Sequence, residues 1–139
     1  MTAPHNDRSQ WPILRVTMPK DGSTESEFTE HVRFIEQQLL AGERFGLIID
    51  ARSAKPPDAK GRQALGQMLR RCHQRDPHVL AGMGIVLASA VERGVLTAIL
   101  WAAGRTYPQR TFADPAQAAV WLRGLLSEPT SSLSDGARR

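Results

Sequence analysis

Apolar residues fall along the chain in short runs separated by polar, turn-forming stretches, and two alternating periods set the order of elements. Trp11–Met18 holds Ile13, Leu14, Val16 and Met18 and predicts a strand, with Pro12 tolerated at its start. Thr24 and Glu27 have capping-box spacing, so a helix is expected from Glu25. Phe28, Val32, Ile35 and Leu39 then recur on one helical face, and Gly42 is a natural stop. Phe45–Ala51 predicts the strongest strand; Leu47–Ile49 is apolar at every position, as in a central strand buried on both faces. Asp58 is a good N-cap for a helix to Arg75, with Leu65, Met68, Leu69 and Cys72 inward. Gly61 and Gly66 are expected to let that helix pack closely on a sheet, and Asp76-Pro77 ends it. Val79–Ala88 is a second buried strand, in which Gly82 and Gly84 predict close approach by another element. Ser89 and Glu92 form another capping box, opening the helix Val91–Ala103. Arg110–Ala113 is a short strand. Asp114-Pro115 then supplies an N-cap followed by Pro at the first helical position, and Ala118, Trp121, Leu122 and Leu125 face inward from the last helix.

Strand and helix thus alternate four times, which predicts a single α/β domain over residues 11–126. Its sheet should be mixed, partly parallel and of about four strands, with helices packed against it. Residues 1–10 are polar and read as a flexible lead-in. Residues 127–139, rich in Ser, Pro, Gly and Arg, read as a disordered tail. No apolar run reaches the roughly 18 residues of a membrane span, and Met1–Gln10 has no apolar core of a signal peptide.

Composition narrows the class further. The hydrophobic share of 41% and charged share of 23% are ordinary for a globular chain and exclude a disordered, collagenous or coiled-coil protein. The one cysteine, Cys72, permits no disulfide framework within the chain; it reads as a packed core thiol in a reducing compartment, the cytoplasm. Net charge is +4. The dense cluster Arg70, Arg71, His73 and Arg75 reads first as a solvated helix end complementing the helix dipole. Nucleic acid ranks last among partners, because no aromatic residue interleaves with that cluster. No phosphate-binding loop, dinucleotide fingerprint, HExxH or GxSxG is present, so no enzyme activity and no cofactor are expected. His73, Asp76 and His78 read as a turn rather than a metal site.

Two places carry candidate function. The C-terminal edge of an open α/β sheet is the usual ligand region, and Asp50, Arg52, Asp58, Ser89 and Arg93 should gather there. Ser89 and Arg93 stand at a helix N-terminus, which favours an anion; the plainer expectation is capping by Ser89 and a salt bridge from Arg93 to Asp50 or Glu92. The second place is the helix Val91–Ala103, which carries no charge beyond Arg93. Only one face can lie on the sheet, so Val95, Leu96, Leu100 and Trp101 should meet the last helix, a second copy or a partner protein.

Three stretches resemble the SpoIIAA-like branch of the STAS superfamily. They are FGLIIDAR (Phe45–Arg52), AGMGIVLAS followed by ERGVLTAILW (Ala81–Trp101), and RTFADPAQAAVWL (Arg110–Leu122). The resemblance covers roughly Trp11–Leu126. It implies a mixed sheet with packed helices and a family that more often binds partners than catalyses. It also implies a partner surface around Asp58–Arg62. STAS anti-sigma antagonists carry a phosphorylatable Ser just after an Asp at this helix start; here Asp58 is followed by Ala59, which speaks against that phospho-switch. The expectation is a non-enzymatic bacterial interaction module, adaptor or regulatory, that binds another protein or itself as a homodimer. The alternative is a small-ligand binder holding an apolar or anionic ligand at the strand ends, with Phe45, Ile49 and Met83 lining an apolar cavity.

Overall fold

The computed structural model describes residues 3–53, 59–103 and 107–128, with the side chains of 99–103 outside that description. The elements run β1 (His5–Gln10), β2 (Ile13–Thr17), α1 (Glu25–Leu40), β3 (Phe45–Asp50), α2 (Ala59–Arg75), β4 (Leu80–Val86), α3 (Ala90–Ala103), β5 (Gln109–Phe112) and α4 (Pro115–Leu126). The five strands lie side by side in sequence order. β1 is antiparallel to β2, and β2 through β5 are parallel. The sheet is therefore mixed, with five strands rather than about four.

The added strand occupies His5–Gln10, where a flexible lead-in was expected. HNDRSQ carries no apolar residue, so neither strand period shows in it. What holds it is the backbone ladder to β2, with His5 opposite Thr17 and Asp7 opposite Arg15. A main-chain ladder needs no side-chain pattern. The predicted tail beyond residue 128 lies outside the described residues.

Strand alternation divides the core in two. Leu14, Val16, Phe45, Leu47 and Met83 face Phe28, Ile35 and Leu39 of α1 and Met68, Leu69 and Cys72 of α2. Ile13, Ile48, Val86 and Phe112 face Ala118, Ala119 and Leu122 of α4. β3 is buried on both sides, as its unbroken apolar run requires. α3 packs on β5 through Thr97, whose Oγ1 lies 3.1 Å from Thr111 Oγ1. Thr111 pairs with Ile85, which packs against the α1–α2 side, so α3 shares that layer.

Local chemistry sets the helix ends. Thr24 and Glu27 form the full capping box, Thr24 Oγ1 accepting from Glu27 N and Glu27 Oε1 accepting from Thr24 N. Gly42, at φ +85°, follows the end of α1, a left-handed position that suits glycine. Asp114 Oδ1 accepts from Ala116 N at 2.9 Å with Pro115 in the first turn of α4.

Glycine lets α4 approach the sheet. Gly46, Gly82 and Gly84 form a floor beneath Leu122, Leu125 and Ala118, and a Cβ at any of the three would lie within 3.1 Å of those side chains. The expectation for Gly82 and Gly84 thus holds, with α4 as the approaching element. Gly66 does not play the part expected of it: a Cβ there would meet nothing within 4 Å.

Candidate functional site

The C-terminal edge of the sheet brings Asp50 and Arg52 together, with a third residue that sequence reasoning missed. Asp50, the last residue of β3, is buried at 4% exposure on the α4 side. Arg52 donates from Nε to its Oδ1 at 3.0 Å and from Nη2 to its Oδ2 at 2.9 Å, a bidentate pair. Arg15 of β2 donates from Nη2 to the same Oδ2 at 2.8 Å. Burial alone would raise the Asp50 carboxyl. The hydrogen bonds from Arg52 and Arg15 and the Arg52 charge outweigh it and hold the group below its ordinary value. The Asp50 carboxylate in turn raises Arg52, and Asp114 adds to that pull. Arg15 Nε is left buried without a hydrogen-bond partner.

The signal for Arg15 was available. A lone charge inside the apolar run Ile13–Val16 sits on the same strand face as Ile13, and a half-buried guanidinium there needs a carboxylate. His31 was also passed over. It stands three residues after Phe28 and four before Ile35, on the buried face of α1, at 4% exposure. Its Nδ1 has no partner, and burial lowers its pKa from 6.5 to about 4.

Ser89 and Arg93 do not join the Asp50 group. Ser89 Oγ accepts from Glu92 N at 3.3 Å, the expected capping. Arg93 makes no salt bridge to Asp50 or Glu92. It donates from Nη1 to the carbonyls of Leu87 at 2.7 Å and Ala88 at 3.1 Å. The reason is geometric: Asp50 projects to the α4 side and is already filled by two guanidiniums, while Arg93 rises in the first turn of α3 beside the end of β4. Asp58 lies outside the described residues; Arg62 is exposed in the first turn of α2, one turn beyond Ala59.

α3 presents the second candidate surface. Val91 and Val95, one turn apart, are 75% and 56% exposed. Leu96 and Thr97 are partly buried, Thr97 toward β5, Ala98 is exposed, and a Cβ at Gly94 would meet open space. The outer face of the helix is therefore uncovered at Val91 and Val95. Leu100 and Trp101 lie on α3, but their side chains fall outside the description.

The remaining chemistry-bearing groups are structural in setting. Cys72 is buried with Sγ 3.9 Å from Met68 Sδ, and burial raises its pKa. His73 faces Tyr107, ring centroids 5.7 Å apart, and burial pushes the Tyr107 hydroxyl up to about 12. Phe45 and Met83 belong to the main core; Ile49 packs against it.

No family model matches the chain, and no curated protein does. Among solved structures it is similar to an uncharacterized protein of the DUF3478 family, with a SpoIIAA-like fold, from Shewanella loihica PV-4. The TM-score is 0.55 at 14% identity, over 86% of this chain and 92% of that one. The chain has a SpoIIAA-like fold.

Proposed function

We propose that the chain is a non-enzymatic interaction module that associates with a second copy of itself through the outer face of α3. The observation that carries this reading is the exposure of Val91 and Val95 on a helix without charge beyond Arg93. An uncharged apolar face is complementary to another of the same kind, and a two-fold pairing sets the patch against itself. Gly94, open above, would let two such helices approach closely. The SpoIIAA-like fold, commonly a scaffold for regulatory contacts, is consistent with it. Sedimentation of the full chain tests the reading. A dimer at micromolar concentration that Val95→Glu converts to a monomer supports it. A monomeric parent chain, or a dimer indifferent to Val95→Glu, overturns it. No helix among the described residues is long and apolar enough to cross a membrane.

A second reading, an anionic ligand at the strand ends, draws on one observation: two half-exposed guanidiniums share a single buried carboxylate oxygen. Inorganic phosphate should then shift the Arg15 and Arg52 side-chain N–H resonances saturably. Shifts of equal size at Arg33 and Arg123 would sink it.

A further inference from the structure

α2 holds the positive charge of the molecule. Its 17 residues include Lys60, Arg62, Arg70, Arg71 and Arg75 and no acidic residue, five positive charges in all. The whole chain carries only +4, so everything outside α2 sums to −1. The fold turns this charge outward. Met68, Leu69 and Cys72 take the inner side, while Lys60, Gln63, Gln67, Arg70, Arg71, Gln74 and Arg75 are all exposed. At about 1.5 Å per residue the basic, glutamine-bearing face runs over about 22 Å.

We propose that this face docks a nucleic acid through its phosphate backbone. The face consists of hydrogen-bond donors and cations with no exposed large apolar side chain. A protein interface needs apolar or aromatic anchors at its centre, whereas a nucleic-acid interface is polar, wet and strongly positive. A membrane-surface helix would need its apolar face free, and that of α2 is spent in the core. The neighbouring acids of α1 are already engaged: Glu25 by Lys60, Glu36 by Arg71 and Glu30 by Arg33. The pairs to α2 are solvent-exposed and weak, so a phosphate can displace them. Sequence alone ranked nucleic acid last for want of an aromatic beside Arg70. Backbone contacts need none, and they carry no sequence preference.

Fluorescence anisotropy with labelled DNA of about 20 nucleotides, duplex and single-stranded, tests this between about 50 and 200 mM KCl. Four phosphate contacts, from Lys60, Arg70, Arg71 and Arg75, predict a log–log slope near −3.6 on the duplex and a roughly 150-fold loss of affinity across that range. Arg70→Gln with Arg75→Gln changes two exposed residues, and should halve the slope while leaving the circular dichroism melt unmoved. Absence of binding at the lowest salt overturns the proposal. So does a slope that falls only when Arg138 and Arg139 are replaced, or equal competition by polyglutamate or by anionic vesicles.

Discussion

Gly82 of β4 lies directly beneath Leu125 of α4: a methyl group on Gly82 would come within 2.8 Å of Leu125 Cδ1. Leu122 and the Pro108 carbonyl, each 3.3 Å from the same point, close the other directions. Gly82→Ala should therefore lift α4 from the sheet and lower stability by about 1–3 kcal/mol in urea unfolding. Gly66→Ala should do the reverse. It fills open space in the middle of α2 and exchanges glycine for the best helix former, a gain of about 0.5–1 kcal/mol. A Gly82→Ala chain as stable as the parent, or stabilised as Gly66→Ala is, would mean that α4 does not rest on the glycine floor.

His31 makes stability depend on pH. Its pKa is about 4 when folded, below the 6.5 of the unfolded chain, so between these values the unfolded state binds more protons. Stability is then complete above pH 6.5 and falls as pH drops toward 4, by about 3 kcal/mol from this residue. His31→Leu should flatten the dependence across that window. Urea midpoints at several pH values for both chains check it; parallel curves would show that His31 does not titrate in the core.

Asp50 sets a second, more acidic dependence. Its carboxyl is held below the ordinary value, so the stability it contributes is present above about pH 4 and lost as pH falls through its folded value. Asp50→Asn should cost about 2–4 kcal/mol at pH 7, because Arg15 and Arg52 lose their shared counter-charge. Arg52→Gln removes two side-chain hydrogen bonds and should cost more than Arg15→Gln, which removes one. The reverse order in thermal melts would contradict the bidentate assignment.

The parallel core was legible because burial leaves a mark in composition. Leu47–Ile49 announced a two-sided strand, Thr24 and Glu27 a helix start, and Gly82 and Gly84 a close approach. Where position rather than composition decides, the reading failed. Arg15 looks like an interruption of an apolar run until Asp50 and Arg52 are placed beside it by the parallel register. Arg93 and Asp50 are close to strand ends in sequence but project to different sides, so no salt bridge forms. The exposure of Val91 and Val95 could not be read from their type, since a buried helix and an unpartnered one have the same composition. The outward turn of the basic side of α2 followed only once Met68, Leu69 and Cys72 were fixed inward.

The polar edge strand has a use that follows from the same property that concealed it. A sheet of five strands has two rims, and an uncovered apolar rim is a template on which other chains can add. His5–Gln10 closes one rim with Asp7, Arg8 and two neutral amides, and its register is broken between Asp7 and Gln10. A strand arriving there would have to desolvate charge and would meet a kinked ladder. Sheet-to-sheet growth into fibres is discouraged at β1.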